Sequence, residues 1–149
     1  MDFPKLNLPL MELKTKLVRG DMQVFDTVRK KYFSLTSEEW VRQNIVLFLV
    51  HELNVPLSHI AIERGLKVNN LNKRFDIVVF DKYGKVNILI ECKSPNVKLN
   101  QKSIDQLVIY NFELKSKFLM LSNGLKHIFL KFNNNNFKII NSLPKYTEL

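Results

Sequence analysis

Residues 74–80, RFDIVVF, and 85–93, KVNILIECK, are two runs rich in β-branched and aromatic residues, and they decide which fold the chain is expected to adopt. The four residues between them, DKYG at 81–84, are typical of a turn. Because Val, Ile and Phe favour strands while Asp and Gly favour turns, the stretch predicts a β-hairpin. The rest of the chain is expected to support or extend this hairpin.

Side chains alternate along a strand, so the two runs also predict which residues share a face. A four-residue loop allows two registers, in which Asp76 lies opposite Leu89 or Glu91. Either register puts the carboxylates of Asp76 and Glu91 on one face, with Cβ atoms about 5 to 8 Å apart. A three-residue loop would instead place them on opposite faces. The other face is expected to be apolar throughout, formed by Phe75, Ile77, Val79, Ile88, Ile90 and Cys92.

Glu91 and Lys93 end a strongly apolar strand, where charged side chains need partners. Two carboxylates, completed by a carbonyl oxygen and water, suit Mg²⁺, a hard cation that takes few protein ligands. Such an ion, or Mn²⁺ as its substitute, neutralises a scissile phosphate and lowers the pKa of a bound water. The ammonium group of Lys93 could orient or deprotonate that water, or stabilise developing charge. Asp76, Glu91 and Lys93 together predict a phosphodiesterase site.

Asp76, followed about fifteen residues later by Glu91-X-Lys93, resembles the motif of the PD-(D/E)XK nuclease superfamily. Phe75 stands where the name of the superfamily has proline. The flanking sequence resembles a family of small stand-alone proteins that is itself similar to the N-terminal nuclease domain of type I restriction enzyme R subunits. The segments that carry this resemblance are LTSEEWVRQ (35–43), ERGLKV (63–68), KRFDI (73–77) and ECKSP (91–95), within a span of about 25–146.

The resemblance implies further site residues. In the superfamily a glutamate on the first helix often approaches the metal, and Glu39 is the matching position, although its alternative role is to cap that helix. Glu63 is either an additional acid at the metal or an exposed strand residue paired with a basic neighbour. Gln106 and Tyr110 match a Gln-X-X-X-Tyr pair that follows the Glu-X-Lys strand in many members, which assigns Gln106 a place near the lysine or a phosphate.

The formal net charge is +9, and from residue 93 onward nine lysines stand against three acidic residues. This excess predicts DNA as a partner, because Lys and Arg contacts to phosphate supply most non-specific affinity. An equal alternative is that lysines encoded by an AT-rich genome are simply solvated. The basic and aromatic run at 29–32 is likewise either a grip on a phosphate backbone or a solvated surface. The side chains expected to contact nucleic acid are Arg42, Gln43, Arg74, Lys98, Lys102 and Tyr110.

The length of 149 residues, with 46% hydrophobic and 25% charged residues, predicts one nuclease-like domain over 1–149, with an arm and hairpin at 1–35 and a core at 36–143. No apolar run has the length of a membrane span, and residues 1–5 lack the pattern of a signal peptide. The single Cys92 excludes an internal disulfide and a cysteine-rich zinc site. The sequence therefore predicts a cytoplasmic protein.

The order of elements predicts an α/β fold. A capping box at Thr36 and Glu39 should begin a largely buried helix that ends near residue 53, and an amphipathic helix at 101–114 follows the central hairpin. The expected architecture is a restriction-endonuclease-like mixed central sheet flanked by these helices, with an N-terminal β-hairpin. Its predicted strands are 11–18, 22–25, 59–68, 74–80, 85–93, 118–122, 127–132 and 137–140.

The leading functional hypothesis is a Mg²⁺-dependent endodeoxyribonuclease of the restriction type. One site cuts one strand, so double-strand cleavage would need a homodimer or two successive events. The sequence has no Gly-rich phosphate-binding loop, so this chain alone lacks the motor of the subunit that it resembles. Two alternatives remain open. One is a non-catalytic nucleic-acid-binding module that keeps the nuclease frame, and the other is a subunit that acts only with a restriction-modification or translocase partner.

Overall fold

The computed structural model describes residues 2–148, which form two α-helices and two β-sheets. The helices are α1 (Ser37–His51) and α2 (Gln101–Leu114), and neither has the length and hydropathy that crossing a bilayer requires within the described residues. The smaller sheet contains β1 (Thr15–Val18), β2 (Asp21–Asp26) and β3 (Lys31–Ser34). The larger sheet contains β4 (Ile60–Val68), β5 (Leu71–Phe80), β6 (Val86–Cys92), β7 (Phe118–Ser122), β8 (His127–Asn133) and β9 (Asn136–Ile140).

The strands of the larger sheet follow chain order, from β4 at one edge to β9 at the other. Neighbouring strands are antiparallel except β6 and β7, which are parallel and are connected through α2. A parallel pair requires a crossover connection, which explains why a helix follows β6. This mixed sheet with its helices confirms the predicted α/β fold class.

Alternate residues of β5 and β6 supply two hydrophobic clusters. Ile77 and Ile90 pack in the cluster that contains the buried residues of α1, whereas Val78 and Leu89 pack with those of α2. All four side chains are fully buried. Because both faces of the sheet are covered, these strands read as continuous apolar runs rather than as alternating ones.

Phe75 lies on a different face from the predicted one. Regular alternation places it beside Ile77, but it is buried in the α2 cluster, with its ring centroid 6.1 Å from that of Tyr110. The pairing of β4 with β5 is interrupted here, since Glu63 and Asp76 are absent from the ladder and Glu63 has a left-handed φ of 52°. This irregularity breaks the alternation between residues 75 and 77. The other members of the predicted apolar face are buried together, namely Ile77, Val79, Ile88, Ile90 and Cys92.

The N-terminal hairpin is part of a three-stranded sheet. β1 and β2 pair as predicted, although β1 begins at Thr15 rather than near residue 11. β3 pairs with β2. It includes the second half of the basic and aromatic run at 29–32, which was not predicted to form a strand. The chain before this sheet is anchored by Leu6, which is buried in the main core, and by a 2.8 Å hydrogen bond from the Asn7 N–H to the Gly124 carbonyl.

Candidate active site

Asp76 and Glu91 come from neighbouring antiparallel strands. Ile77 pairs with Ile90, and continuing this register by one residue places Asp76 opposite Glu91. This is one of the two predicted registers, but it is reached through a register shift between Val79 and Phe80 rather than through the turn alone. The Cys92 N–H donates to Asp76 Oδ2 at 2.8 Å and so ties the aspartate to the backbone of β6. The two carboxylates therefore stand at the same level of the sheet.

The pKa of Glu91 is raised from 4.5 to about 7. Burial is the largest cause and the negative charge of Asp76 is the second, while the positive charge of Lys93 opposes them. A hydrogen bond between the two carboxyl groups also favours the protonated form of Glu91. The pair therefore resists carrying two negative charges unless a cation offsets them.

Lys93 follows the last residue of β6 and lines a cleft together with Glu91. Its N–H donates to the Ser122 carbonyl of β7 at 2.8 Å, which keeps the end of the strand in the sheet. The cleft has a volume of about 210 Å³ and lies between the sheet and α2. Its further lining residues are Lys73, Arg74, Phe75, Ser103, Gln106, Leu107, Tyr110 and Leu121, three of which are predicted site residues.

Gln106 and Tyr110 form the α2 wall of this cleft. They are one helical turn apart, and Gln106 Nε2 donates to Tyr110 Oη at 2.8 Å. Lys73 Nζ lies 5.2 Å from the centroid of the Tyr110 ring. The structure thus brings the predicted Gln-X-X-X-Tyr pair to the same cleft as Glu91 and Lys93.

Arg42 connects α1 to Asp76. Its side chain is 8% exposed, and Nη2 lies 3.1 Å from Asp76 Oδ1 and 3.2 Å from Glu38 Oε1. It also pairs with Glu39. Burial favours the neutral form, but the negative charges of Glu39 and Asp76 outweigh it and raise the pKa of Arg42. The guanidinium, expected to contact nucleic acid, is instead surrounded by carboxylates of its own chain.

Glu39 is 4% exposed, and its carboxylate pairs with Arg29 and Arg42. One half of the predicted capping box is confirmed, because Thr36 Oγ1 accepts the Glu39 N–H at 3.1 Å. The other half is wrong, since the Thr36 N–H donates to the Ser34 carbonyl rather than to Glu39. Two guanidinium groups attract a buried carboxylate more strongly than one backbone amide does.

Asp26 and Arg29 belong to the same network, and sequence reasoning missed their role. Asp26 is fully buried, lies 2.6 Å from Arg29 Nε and accepts the Gln43 amide at 2.9 Å. The signal in the sequence is an aspartate at the end of a strand, whose Oδ1 accepts the N–H groups of Val28 and Arg29 in the following turn. Gln43, expected to contact nucleic acid, is therefore buried and holds this carboxylate.

Glu63 is exposed, and its carboxylate lies 3.8 Å from Arg29 and 3.9 Å from Arg42. Both additional acids of the predicted metal set are therefore engaged by arginine. Among residues 2–148, no group of three or more His, Cys, Asp and Glu side chains is arranged to hold a metal ion. A site on this chain would rest on two carboxylates and on water.

The remaining predicted nucleic-acid contacts, Arg74, Lys98 and Lys102, lie on the surface. Arg74 is exposed on β5 and lines the cleft itself. Lys98 is exposed on the connection between β6 and α2, and Lys102 is exposed on the first turn of α2. These three side chains, unlike Arg42 and Gln43, face solvent.

Comparisons with known proteins identify the family and the fold. The family described as type I restriction enzyme R protein N terminus matches residues 37–144. The fold is similar to the crystal structure of a proposed nuclease of the DUF820 family from Anabaena variabilis, with a TM-score of 0.51 and 12% identity over 95% of this chain and 88% of that one. No curated protein matches the sequence significantly. The family match covers both helices, the whole larger sheet and all three of Asp76, Glu91 and Lys93, and the chain therefore belongs to the family of type I restriction enzyme R protein N-terminal domains.

Proposed function

We propose that the chain is a Mg²⁺-dependent endodeoxyribonuclease of the restriction type. The observation that carries the proposal is the proximity of the Asp76 and Glu91 carboxyl groups on adjacent strands, beside a cleft that Glu91 and Lys93 line. A carboxyl group with a raised pKa beside a second carboxylate and an ammonium group is typical of catalytic sites. The nuclease-like fold and the restriction family support the same reading.

Asp76 and Glu91 would hold the metal ion. They offer only oxygen ligands, which Mg²⁺ prefers, and Mg²⁺ commonly uses one or two carboxylates and keeps several waters. Burial and the charge of Asp76 raise the pKa of Glu91, so a divalent ion bound to the pair would stabilise the ionised form of Glu91. When bound, Mg²⁺ or Mn²⁺ neutralises the phosphate and lowers the pKa of a coordinated water.

The protein groups around the pair have separate roles. Arg42 and the Cys92 N–H each hold one oxygen of Asp76, which orients that carboxylate. The ammonium of Lys93 orients the attacking water or stabilises the charge that develops on the phosphate. Gln106 lines the cleft and donates to Tyr110, and its proposed role is to contact the lysine or the phosphate.

Cleavage of supercoiled plasmid and of single-stranded DNA with Mg²⁺ or Mn²⁺ tests this proposal. We expect nicking that EDTA abolishes and that Lys93→Ala lowers by about a hundredfold or more. Lys82→Ala is the matched control, because Lys82 is exposed in the turn between β5 and β6, outside the cleft. Equal activity in the native chain and in Lys93→Ala would indicate a contaminating nuclease.

Metal binding is measured separately from cleavage, by calorimetric titration with Mn²⁺. Asp76→Asn keeps an oxygen that can accept the Cys92 N–H but removes the charge, so it should lose Mn²⁺ binding. Failure of the native chain to bind Mn²⁺ would contradict the proposed cofactor.

A partner-dependent or binding-only role is the second candidate. It is favoured by the 3.1 Å contact between Arg42 and Asp76, which already neutralises a carboxylate that the metal would use. In this case a restriction-modification or translocase partner would complete the activity, in keeping with the family. Mn²⁺ binding without cleavage of free DNA would indicate the partner-dependent role, and DNA binding with neither Mn²⁺ binding nor cleavage would indicate the binding-only role.

Double-strand cleavage by this site would require a homodimer or two successive nicks. The ratio of linear to nicked plasmid, measured against protein concentration, separates the two routes. A homodimer predicts that linear product appears without a nicked intermediate as the concentration rises. We place this activity in the cytoplasm, where restriction of DNA would occur.

A further inference from the structure

We propose that one face of the three-stranded sheet binds single-stranded nucleic acid through an aromatic platform formed by Lys14, Lys16, Phe25 and Tyr32. One point rests on the proposed function: the bound strand would be the substrate that is cleaved at Asp76 and Glu91. The binding itself requires no metal and no catalysis. It can therefore be tested independently of the nuclease activity.

The register of the small sheet builds this platform. Phe25 of β2 pairs with Tyr32 of β3, and the Phe25 N–H donates to the Lys14 carbonyl at 2.8 Å, so the three residues form one row across the sheet. Side chains directly opposite on neighbouring strands share a face. Lys16, two residues after Lys14, falls on that face as well. The rings of Phe25 and Tyr32 are 5.2 Å apart and tilted by 58°.

The lysines cover these rings without burying them. Lys16 Nζ lies 3.8 Å from the centroid of the Tyr32 ring, and Lys14 Nζ lies 5.0 Å from that of Phe25. Both lysines are exposed, both rings are half-buried, and neither ring belongs to the hydrophobic clusters of the described core. A base can therefore stack on a ring while the long ammonium side chain moves to the neighbouring phosphate.

Aromatic rings flanked by lysines favour single strands over duplexes. The faces of paired bases are hidden inside a duplex, whereas unpaired bases can stack on a protein ring. The strand residues of this face include one acid, Asp21 at its far end, whose carboxylate accepts the Ser34 hydroxyl at 2.7 Å and the Gln23 amide at 3.4 Å. The end that carries the two rings is thus basic, which suits a polyanion.

A short series of contacts connects the platform to the candidate active site. Phe25 precedes Asp26, whose carboxylate pairs with Arg29. Arg29 pairs with Glu39, and Glu39 pairs with Arg42, which contacts Asp76. The side chain of Asp26 lies on the opposite face of the small sheet from the ring of Phe25, so this series of ion pairs links the back of the platform to the candidate active site.

Binding to a short fluorescein-labelled oligothymidine, followed by fluorescence anisotropy in EDTA, tests the platform. Tyr32→Leu keeps an apolar side chain but removes the stacking surface, so we expect about tenfold weaker binding. Tyr32→Phe keeps the ring and should bind like the native chain. The matching duplex should bind more weakly than the single strand and be unaffected by Tyr32→Leu. An oligouridine of the same length distinguishes RNA from DNA as the preferred strand.

The lysines are tested by the double variant Lys14→Ala/Lys16→Ala, whose sites are exposed and tolerate truncation. It should weaken binding and reduce the slope of log affinity against log salt by about 1.4, since each phosphate contact to a single strand contributes about 0.7. The matched control is Lys131→Ala/Lys138→Ala, which removes an exposed pair of lysines that face each other on β8 and β9. The control is expected to change the affinity less than the platform variant.

Native affinity in the Lys14→Ala/Lys16→Ala variant, or a duplex affinity equal to that of the single strand, would overturn the inference. So would native affinity in Tyr32→Leu, provided that its thermal melting shows it to be folded. Failure of the native chain to bind the single strand would also overturn the inference. Platform-dependent binding without any DNA cleavage would support the inference and contradict the proposed nuclease, so the two failures are distinguishable.

Discussion

Glu91 is the residue whose burial conflicts most directly with its charge. Its pKa rises from 4.5 to about 7, so the folded chain holds this proton more tightly than the unfolded chain does. The resulting stabilisation is complete below pH 4.5 and is lost as the pH rises through 7. A buried carboxyl group with a raised pKa beside a second carboxylate marks a candidate functional site.

The first prediction concerns this titration. Glu91→Gln cannot ionise, so it should be more stable than the native chain by a few kcal/mol well above pH 7 and equally stable below pH 4.5. Urea unfolding at the two pH values measures the difference. Glu12→Gln, at an exposed position, is the control. The same stability difference at both pH values would contradict the raised pKa.

The second prediction concerns Arg42, the buried cation that contacts Asp76. Arg42→Met should lower the free energy of unfolding by about 3 kcal/mol, because it leaves the buried Glu39 with one arginine fewer. Arg64→Met, at an exposed arginine of β4, is the matched control and should change it little. Adding Glu39→Gln to Arg42→Met should restore part of the loss. Equal stability of the two single variants would show that the network contributes little.

At the scale of elements, the N-terminal segment depends on the turn between β7 and β8. Trp40, the one tryptophan of the chain, stacks on Phe3 with centroids 5.3 Å apart, and its Nε1 donates to the Pro4 carbonyl at 3.1 Å. Gly124 has φ +84°, and a Cβ there would come within 2.6 Å of Leu6 Cδ2. The packing of this segment is therefore readable from tryptophan fluorescence.

The third prediction uses two glycines with similar backbones. Gly84 has φ +78°, and a Cβ at this position would meet nothing within 4 Å, so Gly84→Ala should cost about 1 to 2 kcal/mol from left-handed strain alone. Gly124→Ala should cost more and shift the Trp40 emission to the red, because it also displaces Leu6. Unfolding curves and emission spectra provide the measurement. An unchanged spectrum in Gly124→Ala would mean that the segment adapts without leaving the core.

At the scale of the whole molecule, a metal ion that binds only the folded chain must raise its melting temperature. At a concentration one hundred times its dissociation constant, an ion adds about 2.7 kcal/mol. For a domain of this size the fourth prediction is therefore a rise of several degrees with Mn²⁺, absent in Asp76→Asn. A thermal scan with and without EDTA gives the comparison. An equal rise in Asp76→Asn would place the ion elsewhere on the chain.

The sequence by itself determined the features that depend on neighbouring residues along the chain. The β-branched runs of β5 and β6, with Asp81 and Gly84 between them, specify the hairpin through local backbone preferences. Thr36 likewise marks the start of α1, because a cap acts within one turn of the helix. The period of two did not by itself decide that Asp76 and Glu91 share a face, because Phe80 pairs with Val86 and a register shift between Val79 and Phe80 brings Asp76 opposite Glu91.

Only the tertiary structure decided which distant side chains meet. The face taken by Phe75 depends on the interrupted pairing between β4 and β5 at Glu63 and Asp76. Glu63 belongs to a different strand, so the run that contains Phe75 gives no sign of this interruption. The contact of Arg42 with Asp76 joins residues 34 positions apart, and the capture of Glu39 by two arginines follows from how α1 packs beside β2 and β5. Local preferences act over a few residues, whereas ion pairs and packing depend on distances that exist only once the elements have assembled.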